Sequence, residues 1–277
     1  MILNPKDFLP PDWMREEALR CSDAKELAPF DICLAVDVNN VMYRLAFATS
    51  KDNYTAEELL TAFVEDVVNA QFTVEAGGIV CAIDHGIPLR RSMMGAVAKR
   101  NKTPEQDAVI KLARDAIGML KARVIHEWLN PTCLDGYEAD DIIAAVVYSA
   151  MSARVVIYST DSDMYQLHNG EIVTQFSPAT QAFVVIKDAV PHQIPAIKAL
   201  AGDPSDNIVG IKGVGPKTAL TVLNGNKTLD LPAEEIKRVK NNLMLTTLPM
   251  PGAYQCLKRN FFPANKPPSE DDTYLPF

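Results

Sequence analysis

The chain has 277 residues, of which 48% are hydrophobic and 22% are charged, and its formal net charge at pH 7 is −8. These values predict a soluble globular protein with one large domain, or with a core and a small appendage. A membrane-spanning protein is excluded, because no stretch approaches the roughly 20 apolar residues that a spanning helix needs. The first residues have neither a basic leader nor an apolar core, so we expect a cytoplasmic protein without a membrane partner.

Cysteine and histidine residues are scattered along the chain. The cysteines are odd in number and form no C-x-x-C pair, which argues against structural zinc and against a disulfide framework. The histidines show no ligand spacing and are interpreted as surface or packing residues. These residues are Cys21, Cys33, Cys81, Cys133, Cys256, His85, His126, His168 and His192.

Regular elements are predicted after an N-terminal extension at 1–30. The apolar run ICLAVD at 32–37 has the length of a buried strand and ends in a carboxylate. A helix follows, because Thr55 and Glu58 form a capping box ahead of apolar residues at helical spacing. The run GIVCAID at 78–84 predicts a second buried strand, which again ends in an aspartate.

A basic segment and a clearly signalled helix come next. Residues 85–102 are polar and rich in Arg and Lys. Thr103 and Gln106 predict a second capping box, with Pro104 at the first helical position. A short strand is predicted at 124–129.

The remaining elements change in character near residue 191. Residues 136–150 predict a loop that enters a buried helix, and RVVIYS at 154–159 predicts a third buried strand that leads into TDSD. The runs EIVTQF and AFVVI predict a hairpin. From residue 191 onward the pattern is one of helices and glycine turns.

Apolar strands that alternate with helices predict a mostly parallel central sheet with helices on both faces. Chemistry in such sheets gathers at the carboxyl ends of the strands. Three predicted strands bring Asp37, Asp84 and Asp161 to that edge.

Nine carboxylates in five segments predict a metal centre at this edge. They are Asp37, Asp84, Glu138, Asp140, Asp141, Asp161, Asp163, Asp203 and Asp206. Carboxylates without histidine or cysteine favour Mg²⁺ or Mn²⁺ over zinc. Two such cations would relieve the mutual repulsion and would suit phosphodiester hydrolysis. Each fragment by itself is equally typical of a turn or a helix cap, so the prediction depends on all nine together.

A glycine turn at 213–215 opens a helix with proline at its first turn. Glycines let the backbone turn sharply and let phosphate oxygens approach N–H groups. By itself the turn could equally join two packed helices. With basic neighbours it predicts a module that holds a DNA backbone without reading bases. The predicted DNA-binding residues here are Lys212, Gly213, Gly215, Lys217, Lys237 and Arg238.

Five sequence blocks together resemble the 5′-nuclease superfamily. The blocks are AVDVNN, AIDHG, GYEADDII, STDSDM and GDPSDNIVGIKGVGPKTA, and they lie in this order within residues 32 to 225. That superfamily includes the 5′-exonuclease domain of bacterial DNA polymerase I, phage 5′-nucleases and eukaryotic flap endonucleases.

The resemblance implies two metal sites for Mg²⁺ or Mn²⁺. The first would be formed by Asp84, Glu138, Asp140 and Asp141, with Asp37 acting partly through bound water. The second would be formed by Asp161, Asp163, Asp203 and Asp206. The glycine turn would be the hairpin that holds duplex DNA, with K⁺ bound there.

The resemblance also implies a helical arch between Asp84 and Glu138 that accepts single-stranded 5′ ends. Arg91 and Lys99 match the basic pair of this arch and would stabilise the scissile phosphate. Lys102 occupies a further basic position for DNA. Ala98 departs from the pattern of many relatives, which have an aromatic residue before this lysine on which a base can stack.

The organisation that follows is an extension at 1–30 and an α/β metal-dependent nuclease core at 31–190, with the arch at about 85–123. A helical helix–hairpin–helix region at 191–254 and a tail at 255–277 complete it. The implied function is structure-specific 5′→3′ exonuclease and flap endonuclease activity by two-metal catalysis. The expected protein is a monomer in a bacterial or phage-infected cell, acting on branched or 5′-ended duplex DNA with a single-stranded flap.

Three alternatives have different functions. A PIN-type ribonuclease would share the acidic edge but would need fewer carboxylates and no helix–hairpin–helix. A non-catalytic, structure-specific DNA-binding protein would be expected to have lost acidic ligands. A phosphohydrolase with an aspartate nucleophile would leave the glycine turn unexplained.

Overall fold

A six-stranded sheet forms the centre of the computed structural model of the chain. The structure describes residues 30–50, 53–94, 103–122, 128–149, 152–186, 190–250 and 252–253. The strands of the sheet are β1 (Phe30–Asp37), β2 (Gly78–Ala82), β3 (Pro131–Thr132), β4 (Ser152–Tyr158), β5 (Val173–Ser177) and β6 (Ala182–Phe183). Their order across the sheet is β3-β2-β1-β4-β5-β6. Every neighbouring pair is parallel except β5 and β6, which form the predicted hairpin, so the mostly parallel sheet is confirmed.

Helices connect the strands and then continue alone. They are α1 (Val38–Ala48), α2 (Ala56–Thr73), α3 (Leu89–Met94), α4 (Pro104–Ala122), α5 (Ala139–Tyr148), α6 (Ile194–Ala201), α7 (Pro216–Leu223) and α8 (Ala233–Thr246). Both predicted capping boxes are confirmed. Thr55 and Glu58 exchange hydrogen bonds at the start of α2, and Thr103 and Gln106 do so at the start of α4.

Burial on both faces of the sheet explains why its strands are apolar throughout. Successive side chains of a strand point to opposite faces. Leu34 and Val36 of β1 therefore join one core with α1, α2 and α4, whereas Cys33 and Ala35 join a second core with α5. The predicted helices on both faces are confirmed.

The strand predicted at 124–129 is wrong at its described end. Trp128 and Leu129 lie in a helical turn, and pairing with β2 begins only at Pro131. Leu129 is fully buried in the first core. A short apolar run has the same composition in a buried turn as in a strand, so its pattern cannot separate the two. Residues 123–127 lie outside the described residues.

The helices α6, α7 and α8 enclose a third core of their own. Between α6 and α7 lies a two-stranded hairpin of β7 (Gly202–Asp203) and β8 (Ile208–Val209). Asn242 of α8 ties these parts together, because its side-chain amide donates to the carbonyl oxygens of Ala199 and Val209. This helical region is thereby fixed beside the residues that carry Asp203.

Several predicted segments lie outside the described residues. They include the N-terminal extension up to residue 29, the arch residues 95–102 and the tail from residue 254. The predicted domain boundaries therefore stay predictions. Among the helices of the described residues, none combines the length and the apolar character that a membrane span requires.

Gly210 is expected to be essential for the hairpin that carries Asp203. A Cβ atom at Gly210 would lie 2.2 Å from the carbonyl carbon of Ala201 and 2.3 Å from the amide nitrogen of Gly202. Since both atoms are backbone, Gly210→Ala should lower the free energy of unfolding by about 1–3 kcal/mol.

The matched control is Gly118→Ala in α4, where a Cβ atom would meet nothing within 4 Å. Removing glycine from a helix interior should raise the unfolding free energy by roughly 0.5–1 kcal/mol. Urea denaturation of both variants measures these values. Equal effects of the same sign would contradict the assigned packing at Gly210.

Candidate metal centre

The carboxyl edge of the sheet collects the predicted acidic side chains. Asp37 is the last residue of β1, Asp84 follows the end of β2 by two residues, and Asp161 follows the end of β4 by three. Because these three strands are adjacent and parallel, their ends meet at one edge. The other acidic residues reach the same edge from the starts of α5 and of a 3-10 helix at Ser162–Leu167, from β7, and from the turn between β7 and β8.

Asp37 sits at the centre of the edge with its carboxylate buried. One oxygen caps α1 by accepting from the backbone N–H of Asn40 at 3.0 Å, and the other accepts from the Ser159 hydroxyl at 2.9 Å. Burial, with the neighbouring charges of Asp84 and Asp161, raises the pKa of Asp37 to about 7 against the opposing effect of these hydrogen bonds. Ionisation of this buried carboxyl group therefore costs free energy in the folded chain.

Asp84 connects the end of β2 to the start of α5. Its Oδ1 accepts from the backbone N–H of Ala139 at 2.8 Å. Its own backbone N–H donates to the side-chain oxygen of Asn39 at 3.1 Å, and Lys121 donates to its carbonyl oxygen at 2.8 Å. These contacts hold Asp84 against the first turn of α5, where Glu138 and Asp140 lie.

The three acidic residues at the start of α5 have different surroundings. The pKa of Asp140 lies well above its usual range, because its carboxyl group is buried and faces Asp37, Asp141 and Glu138. Asp141 is buried in the protein and forms an ion pair with Arg90. Glu138 lies near the same guanidinium group, with 3.7 Å between its Oε2 and the Arg90 Nε.

A tighter group of carboxylates forms on the other side of the edge. Asp163, Asp203 and Asp206 each offer one oxygen, and these oxygens all lie within 4.8 Å of one another. Asp161 caps the 3-10 helix by accepting from the backbone N–H of Asp163 at 2.8 Å. Among the described residues, Asp37, Asp84, Glu138 and Asp140 form no group of this tightness.

Lys198 of α6 lies inside this tighter group. Its ammonium group forms an ion pair with Asp163 and another with Asp203 Oδ2 at 2.7 Å. Although burial opposes ionisation, the hydrogen bonds from Lys198 and Ser205 hold the pKa of Asp203 below its usual value. Burial raises the pKa of Asp161, and the charge of Asp203 adds to this rise while Lys198 opposes it.

Two glutamines fix the loops that carry the acidic residues. Gln175 of β5 is fully buried and donates to the carbonyl oxygens of Ser159 at 2.8 Å and Asp161 at 3.0 Å. Gln166 donates to the carbonyl oxygens of Asp163 and Thr246, both at 3.0 Å. These hydrogen bonds fix the segment that carries Asp161 and Asp163 to the sheet on one side and to the end of α8 on the other.

The site contains functional residues that the sequence analysis missed. Lys198 had a readable signal, since it is the one charged residue in the apolar helix IPAIKALA, five residues before Asp203. Arg90 and Ser159 had none, because nothing in the linear pattern separates Arg90 from the adjacent Arg91. Their roles follow only from the way the strands and helices meet.

The glycine turn has the predicted form. Gly213 has a φ of +79°, and Gly215 caps α7, in which proline follows at once. Lys212 and Lys217 are exposed beside the turn. A Cβ atom at either glycine would meet open space, so the backbone N–H groups there can be approached from outside.

The basic residues of α8 differ from each other. Lys237 is exposed. Arg238 instead donates to the carbonyl oxygen of Gly210 at 3.1 Å and pairs with Glu235 at 2.6 Å. Arg238 therefore braces the residue that follows β8, and its predicted contact with DNA stays a prediction.

The predicted arch residues are only partly described. Arg91 lies in α3, and its side chain falls outside the described residues. Ala98, Lys99 and Lys102 fall outside them as well. Their predicted roles stay predictions.

The surroundings of the acidic edge fit divalent cations. The donors at the edge are carboxylate oxygens, which Mg²⁺ and Mn²⁺ prefer. Asp37, Asp140 and Asp161 have raised pKa values because burial and neighbouring negative charges disfavour ionisation. Bound cations would remove this penalty.

Two family models match the chain over most of the described region. One is described as 5′-3′ exonuclease, N-terminal resolvase-like domain, and matches residues 32–194. The other is described as 5′-3′ exonuclease, C-terminal SAM fold, and matches residues 189–252.

Curated relatives include both short and long proteins. The 5′-3′ exonuclease of Mycoplasma genitalium is 30% identical over 241 residues, which cover 76% of this chain and 77% of that protein. DNA polymerase I of Mycobacterium tuberculosis is 30% identical over 207 residues, which cover 67% of this chain. The match spans only 22% of the polymerase, so most of that protein has no counterpart here.

Solved structures of the T5 5′-exonuclease share the fold. The structure with divalent metal ions (zinc) has a TM-score of 0.61 at 19% identity and covers 78% of this chain and 89% of its own. The T5 flap endonuclease in a pseudo-enzyme–product complex with DNA and metal ions has a TM-score of 0.61 at 19% identity. It covers 82% of this chain and 91% of its own.

The raised pKa of Asp37 predicts a pH dependence of stability in metal-free buffer. Its ordinary pKa is about 4, and in the folded chain it is about 7. Between these values the folded state keeps a proton that the unfolded state releases. The stabilising contribution is therefore complete below pH 4 and is lost as the pH rises through 7. One such group changes the unfolding free energy by at most about 1.4 kcal/mol per pH unit.

Asp37→Asn should flatten this decline, and thermal unfolding in EDTA between pH 5 and pH 8 measures it. Glu171→Gln, an exposed substitution at the opposite edge of the sheet, should keep the slope of the unchanged chain. Identical slopes for Asp37→Asn and the unchanged chain would disprove the assigned titration.

Proposed function

The chain belongs to the 5′-3′ exonuclease family, and from this premise we propose that it hydrolyses DNA phosphodiesters at or near 5′ ends. Both 5′→3′ exonuclease and flap endonuclease activity are proposed, on branched or 5′-ended duplexes that carry a single-stranded flap. Water is the proposed nucleophile.

One observation carries this proposal. Asp163, Asp203 and Asp206 bring their oxygens within 4.8 Å of one another at the carboxyl edge of the sheet. The edge also holds Asp37 and Asp140, whose pKa values are raised by burial and by neighbouring carboxylates. Such a group is unfavourable without cations and is suited to holding them.

We assign the edge to two Mg²⁺ or Mn²⁺ ions. Asp84, Glu138 and Asp140, with Asp37, would hold one ion, and the other would be held by Asp161, Asp163, Asp203 and Asp206. Asp141, which the resemblance also places at the first ion, is paired with Arg90. When bound, the two ions would activate water and stabilise the charge that develops on the leaving 3′-oxygen. Lys198 would balance the negative charge of Asp163 and Asp203 and keep them in place.

The DNA is proposed to lie against two further parts of the chain. Arg91 and Lys99 would contact the scissile phosphate, and Lys102 would contact the DNA strand beside that phosphate. The backbone N–H groups of the glycine turn, with Lys212 and Lys217, would contact the duplex backbone. We also propose that K⁺ binds at this turn, and that Lys237 and Arg238 extend the basic surface.

The rival functions are less well supported. A PIN-type ribonuclease would not explain the second family match at residues 189–252 or the exposed glycine turn. A non-catalytic DNA-binding protein would not need the crowding of carboxylates at the sheet edge. An aspartate nucleophile would need one freely ionised aspartate rather than a shared cluster.

Cleavage of a 5′-labelled flap duplex tests the proposed activity. In Mg²⁺ the unchanged chain should release labelled product at the branch or at the 5′ end, and EDTA should abolish it. Asp161→Asn should reduce the rate about 100-fold or more, because it removes a proposed ligand without removing bulk.

Glu171→Gln is the matched control, because Glu171 is an exposed acid at the opposite edge of the sheet. It should keep the full rate. If the unchanged chain binds the flap duplex but cuts nothing in Mg²⁺ or Mn²⁺, the binding-protein alternative replaces the proposal.

The role of the glycine turn predicts a salt dependence of DNA affinity. The double variant Lys212→Ala/Lys217→Ala should bind duplex DNA more weakly. The slope of log affinity against log salt concentration should shrink by about 2, since each phosphate contact releases counterions.

Fluorescence anisotropy in Ca²⁺ between roughly 50 and 200 mM salt measures this slope. Arg154→Ala, an exposed basic residue near the amino end of β4, should leave the slope unchanged. An unchanged slope in the double variant would remove the turn from the DNA-binding surface.

A further inference from the structure

The guanidinium group of Arg90 is buried behind the acidic edge, where α3, α5 and the end of α8 meet. Only 8% of the residue is exposed. One terminal nitrogen donates to the carbonyl oxygens of Leu245 and Thr247, the latter at 3.1 Å. The other donates to Asp141 Oδ1. Because the guanidinium group of arginine is always charged, its burial at this position requires a buried negative partner.

Asp141 is this negative partner, and both of its carboxylate oxygens accept hydrogen bonds from the protein. Its Oδ1 accepts from Arg90 and also from the backbone N–H of Met250 at 2.7 Å. Its Oδ2 accepts from the backbone N–H of Glu138 at 3.3 Å. Only 1% of the residue is exposed. Fixed protein donors thus engage both oxygens and aim them away from solvent.

Asp140 has the opposite surroundings, although it is the preceding residue. Successive residues of a helix point about 100° apart, so the two side chains leave α5 in different directions. The charges that bear on Asp140 are the carboxylates of Asp37, Asp141 and Glu138 and the guanidinium group of Arg90. The carboxylate that is hydrogen-bonded to Arg90 is that of Asp141. One of the two backbone N–H groups that donate to Asp141 is that of Glu138.

We infer that Asp141 is not a metal ligand but the counter-ion of Arg90, and that this buried pair positions Glu138 and Asp140 for the metal. The inference rests on the proposed function for the identity of the ligands it positions. It changes the ligand set implied by the family resemblance, which included Asp141. The first site then consists of Asp84, Glu138 and Asp140 with Asp37.

The same contacts connect the acidic edge to the helical region. One half of the edge holds Asp84, Glu138 and Asp140, and the other holds Asp161, Asp163, Asp203 and Asp206. The last two residues of α8 and the residues that follow it, 245–250, contact side chains from both halves. Arg90 and Asp141 hold this segment at Leu245, Thr247 and Met250. Gln166, from the other half, holds the backbone of Thr246 and Leu248. Arg90 is therefore a positioning residue that joins the base of the arch, the first metal site and α8.

Thermal unfolding of Asp141→Asn, Asp140→Asn and Arg90→Gln/Asp141→Asn, each with EDTA and with Mg²⁺, tests the inference. In EDTA, Asp141→Asn should lower Tm by about 10 °C, because it leaves a buried guanidinium group without its partner. Asp140→Asn should keep or raise Tm, because it removes one of several like charges. The double variant, which removes both charges, should recover at least half of the lost Tm.

Mg²⁺ should raise Tm of the unchanged chain by binding only its folded state. Asp141→Asn should keep most of this rise, whereas Asp140→Asn should lose most of it. Equal losses in the two variants would return Asp141 to the ligand set and overturn the inference. So would an unchanged or higher Tm of Asp141→Asn in EDTA, or a double variant that is no more stable than Asp141→Asn or does not fold.

These readouts contain no DNA and do not depend on cleavage. If Mg²⁺ leaves Tm of the unchanged chain unaltered, the proposed metal dependence fails. The values in EDTA then still decide whether Arg90 and Asp141 form the inferred pair.

Discussion

Repulsion among carboxylates at one edge of the sheet is the constraint on which the site depends. Adjacent parallel strands end at the same level, so Asp37, Asp84 and Asp161 are brought together by the strand order itself. Burial then makes each negative charge more costly, and the pKa values of Asp37 and Asp161 are raised. The fold thereby creates an unfavourable crowding of negative charge that bound cations would relieve.

The chain supplies its own positive charges to each half of the edge, in two different ways. Lys198 lies between Asp163 and Asp203, where its flexible stem and compact ammonium group can adjust to a changing charge. Arg90 lies behind the other half in a fixed network of a carboxylate and two carbonyl oxygens. An ammonium group on a flexible side chain can change its position more readily than a buried planar guanidinium group. The two halves therefore combine an adaptable counter-charge with a permanent one.

Helix α8 links this edge to the hairpin that carries Asp203 and to the glycine turn. Asn242 and Arg238 hold the hairpin through the carbonyl oxygens of Val209 and Gly210. The last turn of α8 reaches both halves of the edge, because Arg90 and Gln166 donate to its carbonyl oxygens. A displacement of α8 would consequently be felt at the carboxylates, because direct hydrogen bonds connect them.

The sequence by itself determined the sheet, the acidic edge and the glycine turn, because each depends on a local or periodic signal. Buried strands such as 32–37 are apolar throughout. Thr55 and Glu58 form a capping box within four residues, and the positive φ at Gly213 favours glycine. The ends of the strands then placed Asp37, Asp84 and Asp161 together by topology alone. The strand predicted at 124–129 failed because a buried turn and a buried strand share the same apolar composition.

Only the tertiary structure decided which charged groups are partners. Arg90 and Asp141 are 51 residues apart, and Arg90 contacts Thr247 across 157 residues, so no spacing rule could connect them. Asp140 and Asp141 are chemically alike and adjacent, yet helix geometry turns one toward other carboxylates and the other toward a guanidinium group. The sequence records which charges are available, whereas packing decides which of them are balanced inside the protein and which remain to bind a cation.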